Sequence, residues 1–190
     1  MLSFKTLGCD KFKLLEVLYG VGVDGEYGNV SFWDELDYTV VQGYLNDTLV
    51  CYAVLSYDEA GVQEPYDGDR LIGFKHYLHW FQTQKEFRGK GYGREMFSYL
   101  EAHFECPIVF ESFCETTAFY LKCGAFLLSD LDCIEDKLRG WMVINSDHSE
   151  EGFREVFYRF WSEDNFLCPI FNHNYDFYLN VQERAVEDFM

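Results

Sequence analysis

Positive charge is scarce in this sequence. Its 190 residues hold 15 lysines and arginines against 33 aspartates and glutamates, a formal charge of −18, so nucleic acid and anionic membrane surfaces would repel it and cationic partners are favoured. Long apolar runs are missing as well. Every hydrophobic stretch breaks before the roughly eighteen residues a membrane span needs, and the N-terminal MLSFKTLGCDKFK has no continuous apolar core ahead of a cleavage-like site. The expectation is a soluble cytoplasmic protein with neither a nucleic-acid nor a membrane partner. Paired cysteines are absent too: the seven (Cys9, Cys51, Cys106, Cys114, Cys123, Cys133, Cys168) are odd in number and scattered without a C-x-x-C. That argues against a disulfide framework and a zinc site, and leaves reduced thiols buried as small hydrophobes. His76 and His79 make no metal pair, because residues three apart on a strand point to opposite faces. No metal is expected, and no internal repeat or low-complexity tract is present.

Apolar and aromatic side chains, by contrast, are plentiful at 48% and 19% of residues, enough for one domain with a sizeable core. LSFKTLG and then DKFKLLEVLYGVG predict a strand followed by an amphipathic helix capped by Asp10, with Phe12, Leu15 and Leu18 on one face. YTVVQGYLND and TLVCYAVLSYDEAG predict a hairpin around Asn46-Asp47. EAGVQEPYDGDR reads as a loop, LIGFKHYLHWFQTQ as one long strand, and YGREMFSYLEAHF as a helix burying Met96, Phe97, Leu100 and Phe104. CPIVFES predicts a buried strand, CETTAFYLKCGAF a short helix stopped at Gly124, and FLLSDLDCI with LRGWMVIN a closing hairpin. A last helix starts at Ser149 with Glu150 and Glu151 in its first turn. Its Phe153, Val156, Phe157, Phe160 and Trp161 form a face that must bury against the main domain or a second copy of the chain. The division is therefore a domain over 1–148 and an extension over 149–190, with a homodimer through the extension as one arrangement.

Residues 75–94 break the charge pattern. They carry Lys75, Lys85, Arg88, Lys90 and Arg94 against Glu86 alone, a local +4, while the other 170 residues hold ten basic and 32 acidic ones. Within this island Gly89, Gly91 and Gly93 lie between a strand-like and a helix-like run. A strand, a glycine turn and a helix in succession gather unpaired backbone N–H groups and the positive helix end at one point, which suits a phosphate. Glycines let phosphate oxygens approach the backbone, and Arg88, Lys90 and Arg94 add charge-assisted contacts. A Walker A loop requires G-x-x-x-x-G-K and then Ser or Thr, which the chain lacks. A Rossmann turn has Glu111 at about the right offset for its acid, but Arg94 stands where the third glycine belongs.

Arg88-Gly89-Lys90-Gly91-Tyr92-Gly93 matches instead the (Gln or Arg)-x-x-Gly-x-(Gly or Ala) motif of the GNAT N-acetyltransferase superfamily. After the buried strand CPIVFES, AFYLKCGAF resembles that family's second signature, a tyrosine four residues before a glycine with an aromatic following. The resemblance covers about residues 70–145. It departs from the family at Phe113, where an asparagine is frequent, at Thr116 in place of alanine, and at Ala125, which separates Gly124 from Phe126.

The resemblance implies an α/β fold: a mixed, mostly antiparallel central sheet of six to seven strands flanked by about four helices, with a C-terminal α-rich extension. It implies acetyl-CoA as co-substrate, its diphosphate held at Arg88, Gly89, Lys90, Gly91, Tyr92, Gly93 and Arg94 and its pantetheine arm along Phe81 and Thr83. An acceptor amine would attack the thioester directly, with Tyr120 as general acid. Glu111, at the end of the buried strand, and His79, on the strand before the turn, are the candidate bases. By residue type alone Tyr120 reads as a core aromatic ahead of a catalytic group, and Glu111 equally as a solvated strand-end carboxylate. Residues 24–70 carry eleven acids and only Arg70 as a base. Beside the acceptor their field would concentrate a cationic amine, and elsewhere it keeps an aromatic-rich chain soluble. The rival reading is a non-catalytic interaction protein of the same fold, whose acidic surface binds a basic partner or mimics nucleic acid.

Overall fold

The computed structural model describes residues 1–22, 36–63, 70–71, 73–128, 132–134 and 137–160. One mixed sheet dominates them. In spatial order it comprises β1 (Ser3–Cys9), β2 (Asp37–Leu45), β3 (Thr48–Tyr57), β6 (His76–Thr83), β7 (Ile108–Phe113), β10 (Lys137–Ile144) and β8 (Phe126–Leu127), with β9 (Asp132–Ile134) also paired to β10. The three-residue β9 is one strand more than the sequence led us to expect. All pairings are antiparallel except β6 with β7. The helices are α1 (Lys11–Gly20), α2 (Tyr92–His103), α3 (Cys114–Cys123) and α4 (Glu150–Phe160).

Local chemistry accounts for the joints. Asn46 and Asp47 both adopt positive φ (48° and 64°), as a two-residue hairpin turn requires. Asp10 accepts the Lys13 N–H at 2.9 Å and starts α1. Gly124, at φ 101°, stops α3 in the left-handed conformation while the Ala125 N–H donates to the Tyr120 carbonyl. The expected long strand over 71–84 is broken in two: Leu71 pairs with Val62, so that β4 (Val62–Gln63) and β5 (Arg70–Leu71) form a separate ribbon, and the chain turns at Gly73, φ 87°, before β6 begins.

Two apolar layers sandwich the sheet. On one side α2 buries Met96, Phe97 and Leu100 in a core that includes Val41, Ala53, Leu55, Leu78, Phe110 and Met142. On the other, α1 seats Leu14 and Leu18 on Tyr38, Val40, Tyr52 and Val54, each leucine contributing about 2 kcal/mol by leaving water. Phe12 does not join them. It is 60% exposed, because two residues are about 200° of helical turn and carry it away from Leu14. At the C-terminal end, Ser149 Oγ accepts the Gly152 N–H at 3.1 Å. Phe153 and Val156 of α4 enter the main core, Phe153 edge-on to Phe126 at 5.2 Å. The expected aromatic face beyond them, at Phe157, Phe160 and Trp161, lies outside the described side chains, as does most of the acidic segment after α1. No helix among the described residues is long and apolar enough to cross a membrane.

Candidate active site

The site grows from an irregularity in the middle of the sheet. Opposite consecutive Val54 and Leu55 of β3, β6 places Trp80 and Leu78, so His79 is an extra residue and forms a bulge. A bulge bends and twists its strand. The parallel pairing of β6 with β7 consists of two pairs, His76 with Ile108 and Tyr77 with Val109. Past that point β6 follows β3 as far as Thr83 while β7 follows β10 as far as Phe113, so the two strands diverge in a V. Alternate residues of a strand turn N–H and C=O to one edge. The edge of β6 past Tyr77 thus presents backbone groups that no strand pairs among the described residues.

At the open end of this V the chain forms its glycine turn. Gly89 and Gly91 have φ of 74° and 87°, a region that costs other L-residues about 1–2 kcal/mol, and an ideal Cβ on either would meet nothing within 4 Å. The backbone is open on this side. Gly91 is the N-cap of α2 and offers no side-chain cap, so the first-turn N–H groups of Tyr92, Gly93 and Arg94 are left for another acceptor. The cations brace the turn: Arg88 Nε donates to the Thr83 carbonyl at 3.1 Å and Lys90 Nζ to the Glu86 carbonyl at 3.0 Å. Arg94 reaches Cys123 on α3. Among the described residues no carboxylate pairs with Lys85, Arg88, Lys90 or Arg94. In a chain of charge −18, four cations without an acid mark a place suited to an anion.

Tyr120 lies inside the V. Its ring is edge-on to Phe110 of β7 at 4.7 Å and to Phe81 of β6 at 5.7 Å, so it touches both arms. It is 8% exposed, and no hydrogen-bond partner for its hydroxyl exists among the described residues. Burial pushes the phenol's pKa well above the ordinary value of 10, so it stays protonated and can donate. Burial pushes Cys51, a thiol in the same core, up to about 12.

Glu111 and His79 occupy the other face. Glu111 sits opposite Trp141 on β10, and residues paired in this way share a face. Trp141 is 6.1 Å from Tyr77, and Tyr77 is 4.7 Å from His79. The His79 ring is hydrogen-bonded to Ser56 Oγ at 2.8 Å, and burial pushes its pKa down to about 3. An imidazole held there is neutral throughout the physiological range and too weak a base to take a proton from an ammonium. The structure thus sets Tyr120 on one side of the V and Glu111 on the other.

Two features were not read from the sequence. Phe113, in the place of the family's asparagine, caps α3 without a side-chain bond, while its carbonyl accepts from the hydroxyls of Ser112, Thr116 and Thr117 at 3.0–3.1 Å. Phe119 packs on Gly93, Phe81 and Tyr120, and the adjacent aromatics in AFYLK were its one signal. No group of three or more metal-ligating side chains occurs among the described residues.

No family model matches the sequence, and no curated protein matches it either. Solved structures do. The ribosomal-protein-S18-alanine N-acetyltransferase of Escherichia coli is similar over 76% of this chain and 93% of its own, at 14% identity and a TM-score of 0.50. A protein of Bacteroides thetaiotaomicron assigned to the GNAT acetyltransferases is similar over 86% and 99%, at 13% identity and 0.49. A streptothricin acetyltransferase of Bacillus anthracis, in complex with acetyl coenzyme A, is similar over 60% and 65%, at 13% identity and 0.42. With its divergent β6 and β7, its glycine turn and its strand order, the chain has the fold of the GNAT N-acetyltransferases.

Proposed function

We propose that this protein transfers an acetyl group from acetyl-CoA to a primary amine by direct attack in a ternary complex. The observation that carries the proposal is the turn at Gly91: open first-turn amides of α2 and four cations that no acid pairs among the described residues, at the mouth of a V between two strands. The diphosphate fits the amides of Lys90 to Arg94, and the pantetheine arm fits the unpaired edge of β6 near Phe81 and Thr83. Arg88 already holds the Thr83 carbonyl, so that group serves the turn and the arm pairs with Phe81, the alternate residue on the same edge.

The ammonium from solution gives one proton to bulk water, and the resulting neutral amine nitrogen attacks the thioester carbonyl from the Glu111 side. Glu111 takes the amine's proton, directly or through water. The carbon–sulfur bond then breaks, and the departing thiolate takes its proton from the Tyr120 hydroxyl, which is buried, protonated and without a partner among the described residues. His79 is assigned to positioning, through Ser56 and the bulge, and not to proton transfer. The acceptor is a cationic amine in solution, small or on a peptide, drawn by the field of an acidic protein. Release of free coenzyme A thiol from acetyl-CoA, measured against a panel of polyamines, aminoglycosides and N-terminal peptides, tests the reaction. Amine-dependent release supports it. No release with any amine, from protein that binds acetyl-CoA, removes the catalytic assignment.

A further inference from the structure

Gln82, near the end of β6, has one end of its amide fully committed. Its Oε1 accepts the Trp80 indole N–H at 3.1 Å and the Tyr52 hydroxyl at 3.3 Å. An indole nitrogen only donates, so the amide cannot be turned round: its oxygen stays toward Trp80 and its nitrogen away. Tyr52 keeps its proton as well, because burial pushes its pKa up to about 12. Gln82 is half-buried, and its Nε2 hydrogens have no acceptor among the described residues. A donor pair oriented in this way is left for water or a ligand.

Its place on the sheet decides which ligand it can meet. Gln82 pairs with Tyr52, and Trp80 with Val54; both partners belong to the layer under α1. His79 lies 5.6 Å from Tyr38 of that layer and 4.7 Å from Tyr77, whose ring faces Trp141, the cross-strand neighbour of Glu111. Gln82 therefore shares with Glu111 the face from which the amine attacks. The last paired residues of the two diverging strands are Tyr77 and Val109, which puts Glu111 level with His79. Gln82 is three positions further along β6, about 10 Å.

We infer that Gln82 is a specificity-determining residue that donates to a backbone carbonyl of the acceptor, and that the acceptor is the terminal amine of an extended peptide. The inference rests on the acetyl-transfer reading above. With the amine at Glu111, a peptide advancing about 3.5 Å per residue brings the carbonyl of its second or third residue to Gln82. A polyamine of the same reach carries protonated nitrogens there, which donate, and sets donor against donor. Aminoglycoside hydroxyls can accept, but they sit among ammonium groups that the amide hydrogens repel. An acidic field draws all of these cations alike; Gln82 distinguishes them.

Thiol release from acetyl-CoA is measured with the full chain and its Gln82→Glu variant on C-terminally amidated alanine peptides of one to four residues, whose sole charge is the terminal amine, and on spermidine and kanamycin. Gln82→Glu keeps an oxygen for Trp80 and Tyr52 while replacing the donors by a carboxylate. In the wild type, kcat/KM should step up when the second or third residue is added. In Gln82→Glu that step should shrink about fivefold, the worth of one hydrogen bond, while KM for spermidine falls and the acetyl-CoA Kd is unchanged. Opposite shifts for the two acceptors cannot come from a general loosening of the site. A wild type indifferent to peptide length overturns the inference even if the variant does not fold, as does a wild type that prefers spermidine or kanamycin to every peptide. Wild-type peptide kinetics in a folded Gln82→Glu also overturn it, and so does an equal loss of acetyl-CoA affinity, which would set Gln82 against the coenzyme. A wild type that releases no thiol with any amine refutes acetyl transfer itself, which is a different result.

Discussion

Replacing Tyr120 by phenylalanine should make this protein more stable and less active at once. The ring is 8% exposed and packed between Phe81 and Phe110, contacts that phenylalanine keeps. What it removes is a buried hydroxyl without a partner among the described residues, and such a group costs about 1–3 kcal/mol. Taking the low end, Tyr120→Phe should raise Tm by roughly 2–4 °C for a chain of this length. The sign of its pH dependence follows from the raised pKa. Above pH 10 an unfolded tyrosine ionises while the folded one stays neutral, so the wild type loses stability as pH rises past 10, by up to about 1.4 kcal/mol per pH unit. The variant escapes that loss, and its advantage should widen in alkali. Activity moves the other way: without the donor, thiol release should fall at least about tenfold, with the acetyl-CoA Kd unchanged. Thermal unfolding at pH 7 and pH 10.5 and a thiol-release assay suffice. A lower Tm would show the hydroxyl to be paired, and unaltered turnover would take Tyr120 out of the reaction.

Other perturbations test other parts. Gly91→Ala, at φ 87°, should cost about 1–2 kcal/mol in urea unfolding and weaken acetyl-CoA; an alanine as stable as the wild type would mean that the turn is not held left-handed. His79, with its pKa pushed down to about 3, contributes stability that is present above pH 6.5 and lost as pH falls toward 3. His79→Gln should therefore flatten the acid limb of the stability curve between those values, and an unchanged limb would contradict its burial. Phe153→Ala should destabilise by about 3–5 kcal/mol because α4 shares the main core, whereas a surface helix would lose far less. If the acidic field gathers a cationic acceptor, KM for that amine should climb with salt as screening shortens the Debye length to about 8 Å near 0.15 M, and a salt-independent KM would deny the field a role.

Much of the architecture was legible because it is written in local chemistry. Asn46-Asp47, Asp10, Gly124 and the alternation of β2 and β3 each dictate a joint without knowledge of the rest of the chain. The glycine turn and α2 were legible for the same reason. The V was not, because it depends on a one-residue slip of β6 against β3 at His79, and register between distant segments leaves no mark in either one. The same holds for Leu14 replacing Phe12 on the buried side of α1, which was settled by where the helix lands on Tyr38 and Val40. Gly93 shows the limit most clearly. In the sequence it reads as the third member of a phosphate-binding set, and in the fold it makes room for a ring contributed by α3, 26 residues further on.

Calorimetric titration of the full chain with acetyl-CoA tests the central claim most directly. Micromolar, one-to-one binding to the wild type, abolished in a folded Gly91→Glu variant whose carboxylate would occupy the open face of the turn, is the expected result. A folded wild type that takes up no acetyl-CoA, or a Gly91→Glu protein that binds it equally well, would contradict the account.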